Sequence, residues 1–317
     1  MHSHKDIKEI PIFFATDNNY APYLCVSVAS MLANASTDYF YRIYVLTTDL
    51  DPCIERKIRN CITDNASIEF MSLANELDKI QSMFHLRDYY SKETYYRIFI
   101  PNLFPQYDKV LYLDCDIVVL GDISELYNTD IGGSYVGAVQ EEVMSEVKVF
   151  GDYVEKALDI PCGDYFSAGI LLMNTKLLRE NSVEEKFVDL LNRFKFTVTQ
   201  DQDYLNVLCR GKVRYIDLGW NKTAFRNPEF DDGDLRIVHY KIHWKPWHYD
   251  GVLYEEFFWK YAVETEFYDM LLEQRKSYSD AQKENDRIAY DRLMAQAAAD
   301  SADPGNYRNT LRRGVTV

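Results

Sequence analysis

Residues 109–120, KVLYLDCDIVVL, constrain the fold of this chain more than any other stretch. The apolar run from Val110 to Leu113 has the length and composition of a buried strand. It drives into two carboxylates, Asp114 and Asp116, before a second apolar run begins. A carboxylate taken out of water costs several kcal/mol unless a partner compensates, and a close pair also repels. Two carboxylates at the end of a core strand therefore call for a cation. A hard divalent ion with positions left open for phosphate oxygens meets that need. An Asp-x-Asp can equally end a strand and cap the following turn, so the rest of the chain has to decide.

Strand and helix signals alternate from the start. Residues 10–16 read as a strand, and 20–34 carry Leu24, Val28, Met31 and Leu32 at helical spacing. A strand follows at 42–47. Asp51-Pro52 then caps and opens a helix through residue 60, with proline at its favoured first position. Residues 67–71 form a third strand, and helical segments at 73–88 and 91–99 precede Pro101 and the acidic strand. This βαβα rhythm predicts an α/β fold with a mostly parallel sheet and helices on both faces, whose ligands bind at the carboxyl ends of the strands. Further on, 135–139 and 166–173 read as strands, 176–194 as one long helix and 201–209 as a short one. From residue 254 the pattern is helical and increasingly polar to 299. The last residues, with Asp303-Pro304-Gly305 and Arg308, Arg312 and Arg313, are expected to form a loosely ordered tail.

A formal net charge of −15 argues against nucleic acid, whose phosphates require a basic footprint. An anionic cofactor stays compatible if a metal and a few cations gather locally. The N-terminal MHSHKDIKEI lacks the apolar core of a signal peptide, and the longest uncharged stretch, 20–37, is too polar to cross a bilayer. Cys25, Cys53, Cys61, Cys115, Cys162 and Cys209 form no CxxC pair and read as reduced thiols of a cytoplasmic protein. No G-x-G-x-x-G follows a strand, and Gly211-Lys212 lacks the rest of a Walker A loop.

Five further clusters could carry chemistry. Ala15-Thr16-Asp17-Asn18-Asn19-Tyr20, after the first strand, can hydrogen-bond a base and ribose or simply form a helix-opening Asx turn. In Tyr95-Tyr96-Arg97 the guanidinium could fork a phosphate or lie on a solvated helix face. Phe166-Ser167-Ala168-Gly169 opens a strand with small residues that admit a ligand or a neighbouring backbone. Gln200-Asp201-Gln202-Asp203 is an acid and amide cluster at a helix start, where acids also favour the helix dipole. Finally, VHYKIHWKPWHYDG places His239, His243 and His248 among aromatic residues. His239 and His243 have the spacing of a helical zinc pair, but Pro246 blocks a helix and residue 240 is Tyr rather than the glutamate of a zinc protease.

The order of A-T-D-N-N-Y, Y-Y-R, L-D-C-D, F-S-A-G, Q-D-Q-D and H-Y-x4-K-P-W resembles glycosyltransferase family 8, which includes glycogenin and bacterial lipooligosaccharide galactosyltransferases. The resemblance spans about residues 10–250. It implies a GT-A fold with a catalytic domain at 1–252 and a helical extension and tail at 253–317. It also implies a UDP-sugar donor, UDP-glucose or UDP-galactose, with a hexose passed, with retention, to a carbohydrate or glycoconjugate acceptor. Residue by residue, Ala15, Asp17 and Asn19 would contact uridine and ribose, and Arg97 and Cys115 would lie at the donor. Asp114, Asp116 and His239 would hold Mn2+, with Mg2+ a second possibility, and Lys245 would reach the phosphates. Ser167 and the catalytic pair Asp201 and Gln202 would face the sugar. Mixed carboxylate and imidazole donors suit Mn2+ better than Mg2+.

Two departures stand out. Ile242 occupies a position where relatives often carry glycine, and Ser167 one where asparagine is common. A metal-dependent phosphohydrolase and a nucleotide-sugar-binding protein without transferase activity are the alternatives. The first normally needs more acidic and histidine ligands, and the intact Asp114, Asp116, His239 and Lys245 set argues against the second. At most peripheral membrane contact is expected, at the inner face. The terminal arginines would each contribute about 1 kcal/mol on an anionic leaflet, against the net charge of the whole chain.

Overall fold

The computed structural model of the chain describes residues 8–74, 77, 84 and 92–314. The expected helix at 73–88 therefore lies, apart from residues 73, 74, 77 and 84, outside the described residues. The core is a mixed, mostly parallel seven-stranded sheet of β1 (Lys8–Ala15), β2 (Tyr39–Thr47), β3 (Ala66–Ser72), β4 (Val110–Leu113), β6 (Val136–Gln140), β7 (Phe166–Met173) and β8 (Val213–Tyr215), in the order β3-β2-β1-β4-β7-β6-β8. Strands β1, β2, β3 and β4 pair in parallel, as do β6 and β8, while β7 runs antiparallel to both its neighbours. Both faces are covered, and this is why the strands read as continuous apolar runs. Ile10, Ile12 and Phe14 of β1 enter one core and Phe13 the other; Leu111 and Leu113 of β4 part from Val110 and Tyr112 in the same way.

Helix α1 (Ala21–Asn34) covers the first face. The short α2 (Pro52–Arg59) starts as its sequence predicts, with Asp51 accepting the Cys53 N–H at 2.7 Å ahead of Pro52. A 3-10 turn (Lys92–Ile98) and α3 (Ile100–Leu103) lead into β4. The chain does not continue β4 through the acidic residues as one strand. After Asp114, Cys115 and Asp116 it forms β5 (Ile117–Val119), which joins β9 (Lys222–Thr223) and β10 (Ile237–His239) in a separate sheet of order β5-β10-β9. The carboxylates thus occupy the crossing between two sheets rather than the interior of either.

Beyond β5 come α4 (Ile123–Asn128), α5 (Glu142–Glu146), α6 (Lys148–Ala157), α7 (Thr175–Glu180), α8 (Val183–Arg193) and α9 (Asp201–Leu208). The single helix expected at 176–194 is in fact α7 and α8. Ser182 is left-handed at φ 51°, and Asn181 turns its amide back onto the Leu177 carbonyl at 2.8 Å, so local polar bonding ends the first helix. The last segment holds α10 (Glu255–Ala262), α11 (Tyr268–Ser277), α12 (Asp280–Ala302) and α13 (Tyr307–Arg312). A reciprocal Ser279–Gln282 capping box opens α12. Within the expected loose tail, Tyr307–Arg312 is helical instead. Asn306 caps α13 by accepting the Asn309 N–H, and Arg308 faces Asp159 at 3.2 Å. Among the described residues, no helix is long and apolar enough to cross a membrane.

Candidate active site

Because β1 and β4 are parallel, their carboxyl ends lie side by side, and antiparallel β7 begins at that same edge. Ala15, Asp114, Asp116, Ser167 and Gly169 are therefore neighbours although far apart in sequence. Strand β10 runs antiparallel to β5, with His239 opposite Ile117, and so returns the imidazole to the carboxylates. His239 ends that strand and is 4% exposed. The α9 N-terminus adds Asp201 and Gln202. Together these segments line a cavity of about 170 Å³.

One ligand atom from each of Asp114, Asp116 and His239 lies within 4.8 Å of the others. His239 Nε2 is 3.1 Å from Asp116 Oδ1 and 3.7 Å from Asp114 Oδ2. Its Nδ1 is 2.9 Å from Asn221 Oδ1, and an amide oxygen only accepts, so Nδ1 donates there and Nε2 is the nitrogen turned toward the two carboxylates. A cation resolves that arrangement. Gly169 makes room for it: a Cβ there would lie 2.3 Å from His239 Cε1 and 2.7 Å from Asp114 Oδ2. The small residues of F-S-A-G thus admit side chains of the site itself.

Lys245 Nζ donates to Asp116 Oδ2 at 2.5 Å and to the Tyr240 carbonyl. Burial opposes ionisation of Asp116, but Lys245 and His239 hold its carboxyl far below the ordinary range. Two residues after Lys245, Trp247 is 1% exposed and stacks on Tyr23 of α1 at 3.8 Å, which pins the Lys-Pro-Trp turn to the core. Ile242, in the same loop, has φ 57° and lines the cavity. It holds a left-handed conformation that suits glycine better, at a cost of about 1–2 kcal/mol.

Arg97 is turned inward and 3% exposed. It donates to Asp114 Oδ1 at 3.2 Å and to the Ala168 carbonyl, and it lies over the Tyr112 ring at 4.5 Å. Its Nε is 2.8 Å from Asp201 Oδ2, but that N–H is aimed at the Thr94 carbonyl, so the contact is ionic rather than a hydrogen bond. Burial pushes Asp201 up to about 7, against the pull of Arg97 and with the help of Asp114. Gln202 Oε1 accepts the Ala168 N–H at 2.8 Å, which fixes the amide at the cavity wall.

Ala15, Arg97, Asp114, Cys115, Asp116, Ser167, Asp201, Gln202, His239 and Lys245 all line this one cavity; Asp17 and Asn19 do not. Asp17 Oδ1 instead accepts the N–H groups of Asn19 and Tyr20 at 2.9 and 2.8 Å, the Asx turn that opens α1. The Cys115 thiol donates to the Ala15 carbonyl at 3.2 Å and ties β4 to β1. Sequence reasoning passed over Asn221, which orients His239 and carries no local signal. It also passed over Glu141, paired with Lys241 at 2.9 Å inside the cavity, although an acid just after a strand was the signal that picked out Asp114.

The sequence model of Glycosyl transferase family 8 matches residues 11–251. A Haemophilus influenzae protein provisionally named a glycosyltransferase is 30% identical over 213 residues, covering 67% of this chain and 63% of that protein, so the chain spans less than two thirds of its length. The bifunctional glycosyltransferase WbbM, in its apo structure, matches with a TM-score of 0.74 at 25% identity, over 87% of this chain and 53% of that one. The galactosyltransferase LgtC, in complex with donor and acceptor sugar analogues, matches with a TM-score of 0.66 at 27% identity, over 81% of this chain and 96% of that one.

Proposed function

Because this chain belongs to glycosyltransferase family 8, we propose that it transfers a hexose from UDP-glucose or UDP-galactose to a sugar or glycoconjugate acceptor, with retention at the anomeric carbon. The observation that carries this reading is the convergence of Asp114, Asp116 and His239 within 4.8 Å at the carboxyl edge of the sheet, beside Lys245. Asp114, Asp116 and His239 would hold Mn2+. Bound there, the cation would supply Lewis acidity to a diphosphate leaving group. Lys245 adds a second positive charge at the same place, and that charge matters most as the glycosidic bond breaks.

We assign uridine and ribose to the end of the cavity lined by Ala15 and Cys115, with Asp17 and Asn19 approaching them from the turn outside it. Arg97 acts by holding Asp114 and Asp201 in place. Ser167, Asp201 and Gln202 face the hexose. A retaining reaction ordinarily uses a carboxylate nucleophile, whereas Gln202 is an amide anchored by the Ala168 N–H. We therefore assign a front-face displacement, with the acceptor entering on the side from which the diphosphate leaves. The catalytic unit is assigned to residues 1–252, with 253–317 as a helical extension. Six free cysteines fit a reducing cytoplasm, with contact at the inner membrane face at most peripheral.

Calorimetric titration of UDP with and without Mn2+ tests this reading on the wild type, Asp116→Ala and His239→Ala. Metal-dependent binding that both substitutions remove, with turnover lost rather than KM merely raised, is the expected result. Equal UDP binding without metal, or wild-type turnover in both variants, overturns the site. An NMR spectrum showing a β-linked product from the α-linked donor overturns retention.

A further inference from the structure

The cavity does not end at the polar residues. Past Glu141 and Lys241 its lining becomes apolar: Val143 and Met144 of α5, Phe150 of α6, and Ala289, Tyr290 and Leu293 of α12. The last three lie outside the segment that matches the family, residues 11–251. Glu141 leads directly into α5, and His243, two residues after Lys241, faces the Tyr290 ring at 5.5 Å. Tyr290 also meets Phe150 edge-on at 6.1 Å. The wall is therefore continuous from the ion pair to α12. Met144, Phe150 and Leu293 are buried, and none of the six wall residues carries a charge.

Such a wall is a poor match for a bare sugar, whose hydroxyls would be stripped of water with no partner. It is a good match for an apolar substituent, while the Glu141 carboxylate and Lys241 ammonium at its border suit the hydroxyls of the attached sugar. Building on the transferase reading, we propose that helix α12 selects the acceptor, and that the acceptor carries an apolar aglycone received between α5, α6 and α12.

The test compares methyl with phenyl glycosides of glucose, galactose and N-acetylglucosamine, on the wild type, Tyr290→Ser and Ala289→Gln. The second substitution puts an amide into the wall from a half-buried helix position with little loss of packing. Two readouts are taken: calorimetric binding in the presence of UDP and Mn2+, and transfer. For at least one sugar the wild type should prefer the phenyl glycoside by about tenfold in Kd or kcat/KM, and the ratio should fall toward one in both variants. Equal affinity for methyl and phenyl glycosides, or a preference that survives both substitutions, overturns the inference. Release of UDP from the two donors by the wild type, with and without the glycosides, reports separately on the transferase reading. If neither donor is turned over under either condition while the wall-dependent binding preference holds, the transferase reading fails and what stands is the apolar glycoside subsite.

Discussion

Gly169 decides whether His239 can stand beside the carboxylates. Its backbone needs no unusual φ; what it needs is the absence of a side chain, because a Cβ would lie 2.3 Å from the imidazole and 2.7 Å from Asp114. Gly169→Ala must therefore displace either His239 or Asp114. Overpacking of this kind costs about 1–3 kcal/mol, so the variant should fold and melt a few degrees lower. Mn2+-dependent UDP affinity should fall about tenfold or more, since a misplaced ligand loses the cation. Calorimetry well below the melting temperature separates the two effects. Unchanged metal-dependent binding would mean that His239 and Asp114 do not act together as ligands.

Among the elements, α9 shows how a site is held at a helix start. Asp203 in its first turn is fully buried and accepts from Tyr153 Oη at 2.9 Å, Tyr165 Oη at 2.7 Å and the Thr199 N–H at 3.0 Å. It ties α6, the approach to β7 and the preceding loop to the helix that carries Asp201 and Gln202. Asp203→Ala strands three donors and should cost about 3 kcal/mol in urea unfolding. Burial raises the Asp203 carboxyl above its ordinary value, against the hydrogen bonds it accepts. The folded state then keeps its proton after the unfolded chain has lost it. Stability is thus full below the ordinary carboxylate range and declines as pH rises from there to the raised folded value. Asp203→Asn removes this titration, so its unfolding free energy should lack that part of the slope, whatever its absolute stability. Parallel slopes for the two proteins would show that Asp203 does not titrate as described.

For the whole molecule, the helices after residue 253 are part of the cores rather than an appendage. Phe258, Tyr261, Phe267 and Leu271 join the core under α1, while Leu293 and Ala297 join the one on the opposite face. The described chain should therefore unfold as one cooperative unit, with a calorimetric enthalpy equal to the van't Hoff value. Two resolved transitions would instead make 253–317 an independently stable segment. Charge is also organised at this scale. The net charge is −15, yet Arg97, His239, Lys241 and Lys245 gather at one cavity, where they face the carboxylates of Asp114, Asp116, Glu141 and Asp201.

Apolar runs and their punctuation determined the α/β class, the strands β1, β2, β4 and β7, and the Asp51-Pro52 helix start, because burial and capping are local demands that each segment states by itself. Asp114 and Asp116 stood out for the same reason: carboxylates after a core strand are chemically conspicuous wherever the chain goes next. Tertiary structure decided the rest. That β5 leaves the sheet of β4 and that Arg97 turns inward both depend on partners distant in sequence. Asn221 and the apolar wall of α12 carry no local mark, since an amide or a leucine acquires its role only from what it is packed against. Periodicity reports that a residue is buried, whereas strand order and register settle which residues it meets. In this chain that difference separates a list of candidate ligands from a place where Asp114, Asp116 and His239 stand within 4.8 Å of one another.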